Sequence, residues 1–390
     1  MKIPAVIHSF RKWLPLSPEG LGWLVLTSAT LITGLAKSIN LITLLGCVLF
    51  AIGPINIWLA WRQVRGLRSF RTLPDFLIAG TATSWLVHIV QDSPRRRQGI
   101  SLIDPGPDAE AAWFVDLQPE RVQSFERTIA APCRGILPLQ PVRIASGHPF
   151  GLAEVVRIGD DAATTIAVAP RCGVLNRNLL RRWLSRSHFA TGAVRSRPFR
   201  HPTGQAEFHG LRPFRAGDSP RLIHWRTSAR HGELMVREFE EYPNDDLVLI
   251  VDLGHGDPQG GETFERMLSL AATIVAEWCR QKGDALTVVF ADRAPRCVTG
   301  VTGTTLLADI MRGLAAAQPA QRVASADVLA VLHESSRPAT VHLLLSVGPS
   351  TLAAALHEEL RDVLVTIDLT EGTDAEFFEL GVAPALSPLP

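Results

Sequence analysis

Arginine is where this chain concentrates its chemistry. Residues 171–237 carry fourteen arginines and no lysine, against only Glu207, Asp218 and Glu233. A guanidinium is a planar, permanently charged fork that binds carboxylate or phosphate bidentately and tolerates partial burial better than a hydrated ammonium does. The first half of the segment sets Arg177, Arg181, Arg182 and Arg186 around Leu180, Trp183 and Leu184, an amphipathic helical pattern able to lie on a membrane surface. In the second half, residues 208–240, Arg212, Arg215, Arg221, Arg226 and Arg230 are interleaved with Leu211, Phe214, Ile223, Trp225 and Leu234. That interleaving predicts partly buried arginines, and buried cations need partners. Gly217-Asp218-Ser219-Pro220 reads as a tight turn in which Asp218 caps the following amides and pairs with Arg215 or Arg221. His224 and Trp225 then open a short strand or helix, with Trp225 expected to be buried, and Glu238 completes the set. Two readings follow: a clasp joining neighbouring domains, or a docking or anion site built from the same arginines.

Catalytic patterns are weaker. Asp218, His224 and Ser228 are the residue types of a triad, but they share one short segment and nothing marks an oxyanion hole. No G-x-S-x-G, H-E-x-x-H or dinucleotide fingerprint stands in context, and Gly300-Val301-Thr302-Gly303 lacks the lysine of a phosphate-binding loop. Cys133, Cys172, Cys279 and Cys297 have no C-x-x-C spacing and read as packed free thiols. No RNA- or DNA-binding motif accompanies the basic residues, so nucleic acid is not an expected partner.

The elements that must position these residues fall into four stretches. Residues 21–61 contain one charge, Lys37, and are too long for a single crossing of a hydrocarbon layer about 30 Å thick. They predict a two-helix transmembrane hairpin, 21–36 and 39–61, with Trp23, Trp58 and Trp61 near its ends. A cleaved signal sequence fits poorly, because a second apolar span begins at once. Lys2, Arg11 and Lys12 precede the hairpin and Arg62, Arg65, Arg68 and Arg71 follow it, which predicts cytoplasmic termini, residues 1–20 included. Residues 72–170 break into short β-branched or alternating runs, an all-β sandwich-like domain. Residues 171–245 form the arginine-rich connector. From 246 to 390, apolar strands at Leu247–Leu253, Ala285–Ala291, Val341–Val347 and Leu364–Leu369 alternate with amphipathic helices, an α/β domain with a parallel sheet covered on both faces. Its first strand ends in Asp252, where open α/β sheets bind ligands. The whole chain is nearly neutral, with 39 basic and 38 acidic side chains. Both cationic regions are therefore offset by an acidic remainder, a ready source of partners for the arginines.

The run from Phe208-His209-Gly210-Leu211-Arg212-Pro213 through Gly217-Asp218-Ser219-Pro220, His224-Trp225-Arg226 and Glu238-Phe239-Glu240 resembles the signature of a bacterial family called domain of unknown function 58. Arg134-Gly135, Pro141-Val142, Pro149-Phe150-Gly151-Leu152 and a strand ending at Pro170 resemble its upstream hallmarks. The resemblance implies a multi-pass protein of the bacterial inner membrane whose C-terminal domain is von Willebrand factor A-like. It also implies a MoxR-type AAA+ ATPase as partner, a transglutaminase-like membrane protein as a frequent neighbour, and a non-enzymatic scaffold or adaptor role in assembly, chaperone-like or envelope processes. The competing reading is an uncharacterised hydrolase or a binding module for an anionic phosphate, lipid headgroup or nucleic acid at residues 208–240. A-type domains often hold Mg²⁺ through Asp-x-Ser-x-Ser. Here the corresponding run is Asp252-Leu253-Gly254-His255-Gly256, without either hydroxyl, so Asp252 is expected to hold a cation only weakly, helped by Thr302, Thr304 or Thr305, and no cofactor is expected.

Overall fold

The computed structural model describes residues 16–106, 109–160, 164–176, 179–180, 183–184, 207–214, 223–240, 246–254, 261–280, 284–320, 323–335, 341–348, 350–360 and 364–381. Two units emerge: Met1–Arg171 with Leu314–Ala316, and the remainder of the chain.

The first unit begins with α1, Pro18–Ala36, and α2, Asn40–Val64. Proline pre-sets the backbone angle of the first turn, and the Ser17 hydroxyl accepts the Gly20 N–H at 2.9 Å, so the start is fixed three residues before the apolar run. Gly34 and Gly46 let the helices approach closely: a methyl at Gly34 would meet the Thr43 backbone, and one at Gly46 the Leu31 backbone. Outward-facing Val25, Leu26, Ile32, Leu41 and Leu44 are all more than half exposed. Both helices are long and apolar enough to cross a membrane, and protein buries little of either. At 25 residues, α2 measures about 37 Å.

Ten strands follow: β1 (Leu67–Thr72), β2 (Leu77–Ile78), β3 (Ala82–Gln91), β4 (Arg97–Asp104), β5 (Glu110–Leu117), β6 (Val122–Ala130), β7 (Gly135–Leu139), β8 (Arg143–Ser146), β9 (Val155–Ile158) and β10 (Thr164–Ala169). They form three sheets, β1-β3-β6, β2-β10-β7 and β5-β4-β8-β9, rather than the two of a simple sandwich. All three contribute to one core, through Val87 and Ile89, Leu139 and Ile166, and Ile100, Leu102 and Ile144. Inside it sits a polar knot. The Asp104 carboxylate accepts from Arg71 Nη2 at 2.5 Å and Trp85 Nε1 at 3.2 Å, and Arg127 Nη1 lies 3.5 Å away. Arg127 also donates to the Asp104 carbonyl and sits 5.7 Å over the Trp85 ring. The three charged side chains are at most 3% exposed, so each is held by the others rather than by water.

Leu314–Ala316 apart, the second unit contains β11 (Val174–Leu175), β12 (Glu207–Pro213), α3 (Trp225–His231), β13 (Met235–Glu240), β14 (Leu247–Asp252), α4 (Glu262–Cys279), β15 (Ala285–Ala291), β16 (Arg296–Val301), α5 (Thr304–Ala316), α6 (Ser325–Ser335), β17 (Val341–Ser346), α7 (Thr351–Glu359), β18 (Leu364–Asp368) and β19 (Phe378–Glu379). The main sheet has the order β16-β15-β14-β17-β18. Every neighbouring pair is parallel except β15 with β16, an antiparallel edge that sequence reading did not foresee. Val248, Ile250, Val289 and Leu344 pack with Val328 and Leu332 of α6 and Leu352 and Leu356 of α7. An amphipathic helix would bury one stripe of α4, such as Leu268, Ala271, Ala272, Val275, Ala276 and Cys279, but Met267, Leu270, Ile274 and Trp278 are buried as well. Part of the reason is the β11–β19 ribbon beside the helix, anchored by a 2.9 Å hydrogen bond from the Gly173 N–H to Thr273 Oγ1.

The cysteines are free, but they are not uniformly packed: Cys172 and Cys279 are buried, whereas Cys133 is exposed. Burial pushes the Cys172 thiol up to about 12 and also raises Cys279, against a smaller lowering by a backbone hydrogen bond from Gly303. The nucleophile is the thiolate, so at pH 8 maleimide should label Cys133 readily and Cys172 at least about a hundredfold more slowly. Peptide mapping after timed labelling checks this, and equal rates in the native chain would refute it.

Candidate functional site

Two places collect the residues singled out by sequence. One is the arginine motif. β12 and β13 pair as an antiparallel ribbon with Arg212 opposite Val236 and Glu238 opposite Gly210, and α3 lies between them in sequence. The ribbon meets the stretch before α3 through the Ile223–Val236 bridge and a 2.8 Å hydrogen bond from the His224 N–H to the Met235 carbonyl. His224 is the N-cap of α3, its Nδ1 accepting the Thr227 N–H at 3.3 Å, and Gly232 closes the helix in the left-handed conformation. Ser228 is the pin: its buried hydroxyl accepts the Met235 N–H at 2.8 Å and donates to the His224 carbonyl at 3.1 Å. That hydroxyl serves backbone groups and not the His224 ring, the opposite of what a nucleophile needs. Arg215, Gly217, Asp218 and Arg221 lie outside the described residues, as does most of the helix expected around Arg177–Arg186.

Trp225 overturns an expectation. It is 66% exposed, not buried, and Arg226 and Arg230 on the same short helix are exposed as well. Interleaving implied burial because apolar neighbours usually face a core. Here α3 turns Ser228 inward, after buried Ile223, and presents its tryptophan outward.

The other place is the C-terminal edge of the main sheet. Strand order reverses at β14, with β15 on one side and β17 on the other, which puts Asp252 at the switch point beyond which open α/β sheets form their binding crevice. Asp252 is 1% exposed: Oδ1 accepts the Gly254 N–H at 2.8 Å, and Oδ2 accepts the Ser350 hydroxyl. Ser350 in turn caps α7, accepting the Leu352 and Ala353 N–H groups. The loop after α5 closes the opposite side, through Ala320 N–H on the Leu253 carbonyl at 2.7 Å and Val323 beside Gly254. Any side chain at 254 would collide with Val323 and the Asp252 carboxylate. In the adjacent loop, Asp368 Oδ1 accepts the Gly348 N–H at 2.9 Å and the Thr370 hydroxyl at 2.7 Å. Sequence reading missed Ser350 and Asp368, although a serine directly before a helix and an aspartate ending a strand are readable signals.

The threonines expected to assist Asp252 do not reach it. Because β16 runs antiparallel, Val301 pairs with Ala285 at the opposite end of β15 from Ala291, the partner of Asp252. Thr302, Thr304 and Thr305 follow β16 and so lie about 20 Å away along the strand direction. Among the described residues, Ser350 supplies the one hydroxyl beside Asp252, and no group of three His, Cys, Asp or Glu side chains able to hold a metal occurs. Mg²⁺ takes six hard oxygens in near-octahedral order, and the described side chains here supply only one carboxylate, already engaged by Gly254 and Ser350, and one hydroxyl.

Residues 210–383 match a family model described as Protein of unknown function DUF58. An uncharacterized protein of Bacillus subtilis (strain 168), YeaD, is 26% identical over 163 residues, which are 42% of this chain and 37% of that one. The chain thus spans little more than a third of this curated relative. The crystal structure of a beta-glucosidase from Listeria innocua in complex with gluconolactone overlaps 26% of this chain and 15% of that chain, at 13% identity and a TM-score of 0.15, a likeness too slight to bear on fold or function.

Proposed function

We propose that the chain is a membrane-anchored, non-enzymatic adaptor of the bacterial inner membrane that uses its C-terminal unit, read as a von Willebrand factor A-like fold, to recruit a MoxR-type AAA+ ATPase. The observation that carries the reading is Trp225, exposed next to Arg226 and on the same short helix as exposed Arg230, inside the family's signature run. Exposing an indole to water is unfavourable, and tryptophan and arginine are among the residue types most enriched at interface hot spots. The buried hydroxyl of Ser228 holds α3 rigidly against β13, so little order would have to be gained on binding. α1 and α2 support the anchor, since their apolar outer faces are left uncovered by protein. Cytoplasmic termini follow from the flanking arginines and lysines. A transglutaminase-like membrane protein is a further candidate neighbour.

Affinity capture of the full chain from native membranes tests this. Wild type should return an AAA+ ATPase of MoxR type, and a chain with Trp225→Ala, Arg226→Glu and Arg230→Glu should return at least about tenfold less. Equal recovery by both chains would refute docking through α3. Repeated absence of the ATPase while other envelope proteins are recovered would refute the adaptor reading.

A further inference from the structure

The place where α2 meets the β-sheets carries a second surface. Arg97, the first residue of β4, donates from Nη1 to the Arg62 carbonyl and, at 2.8 Å, to the Gln63 carbonyl. Gln63 Oε1 accepts the Gln98 N–H at 3.3 Å. These contacts bring the β3–β4 loop, Ser93-Pro94-Arg95-Arg96, to the end of the apolar helix. Arg62, Arg65, Arg95 and Arg96 are all exposed there. Asp92 pairs with Arg68 instead, and Asp116 approaches Arg96 only at 3.9 Å, so cationic charge stays in excess. Its crowding is felt by Arg97, whose guanidinium is held below its usual value first by burial and then by the Arg62 and Arg95 cations.

Indoles and an aromatic loop complete the arrangement. Arg62 lies 5.5 Å over the Trp58 ring and Arg65 lies 4.8 Å over the Trp61 ring, pairs suited to the boundary between hydrocarbon and water. Six residues earlier on α2, buried Asn56 accepts the Phe150 N–H at 2.9 Å, which sets Phe150 about 9 Å above the level of Arg62 with 59% of its surface exposed. The same loop holds α1, through Ser17 N–H on the Leu152 carbonyl at 3.1 Å and the Ser17 hydroxyl on the Gly151 carbonyl at 2.6 Å.

We propose that Arg62, Arg65, Arg95 and Arg96 form a collar for the phosphates of anionic lipid headgroups, with Phe150 seated among the acyl chains beside α2. The proposal rests on α1 and α2 spanning a bilayer. Three of its components come from segments far apart in sequence, and the hydrogen bonds at Gln63 and Asn56 set all of them at one end of the hairpin. Guanidinium forks suit phosphate oxygens, and a basic residue near an anionic leaflet favours binding by roughly fivefold.

The test uses the full chain in nanodiscs of mixed phosphatidylglycerol and phosphatidylcholine, with retained lipids counted by native mass spectrometry. Wild type should retain phosphatidylglycerol preferentially. Arg95→Gln with Arg96→Gln, on an exposed loop, should lose at least about fivefold of that preference, while Arg293→Gln in the other unit leaves it unchanged. No preference in wild type, or undiminished preference in the double variant, would overturn the collar. Extraction of native membranes with alkaline carbonate separates the two readings. Release of the chain removes the spanning hairpin and the collar together, whereas retention without lipid preference removes the collar alone.

Discussion

Replacing Asp104 with alanine should destabilise the β-sheet unit by about 3–5 kcal/mol, the largest effect expected of any single substitution in it. The carboxylate faces both Arg71 and Arg127, and all three side chains are at most 3% exposed. Its removal takes the carboxylate away from two buried guanidinium groups and strands the Trp85 N–H as well. Asp92→Ala is the internal control. The Arg68–Asp92 pair has side chains 61% and 53% exposed, so water replaces the lost partner and the cost should stay within about 1 kcal/mol. Hydrogen exchange at β3 and β4 amides in the full detergent-solubilised chain reads the difference without requiring two-state unfolding of both units. Similar protection in the two variants would show that the knot is not what holds these sheets together.

At the main sheet, Asp252→Ala should cost about 2–3 kcal/mol and loosen two loops at once. The Gly254 N–H loses its acceptor, and the Ser350 hydroxyl loses the carboxylate that fixes it over the first turn of α7. Asp252→Asn keeps one acceptor oxygen and should recover part of the loss. Amide exchange at 253–254 and 350–353, compared with β18 as reference, resolves the two. The same variants test the donor set: millimolar Mg²⁺ should leave the unfolding temperature of wild type unchanged. A clear rise in wild type that disappears in Asp252→Ala would show that the crevice binds the ion after all.

The periodicity of the chain carried a large part of this architecture. The alternating run Thr83–Val90 lies inside β3, Ala82–Gln91, and the apolar run Ala285–Ala291 is β15 itself. β4 was hidden because its first residues, Arg97-Gln98-Gly99, look like the end of a basic loop, and only the pairing with β5 and β8 makes them a strand. β7 contains Pro138, which argues against a strand until its place is known. Among the described strands it pairs with β10 alone, and an edge strand is where proline is tolerated in a sheet. The arginine motif was legible as a unit, but which way α3 faces was not, because an apolar residue beside arginines can serve a core or a surface. The knot at Asp104 was invisible for another reason. Its partners are 19 to 33 residues away, and only the fold brings them into reach.

The join between helices and sheets also has a mechanical meaning. Only Arg65 and Gly66 separate the last residue of α2 from the first of β1. Arg97 grips the helix end, Arg157 holds the Leu67 carbonyl at 2.9 Å, and the 150–152 loop ties both helices from the side. There is no slack to take up before tension reaches the helices. Work done on the β-sheets by a partner would be transmitted along this joint as through a rivet, rather than dissipated in a swivelling tether.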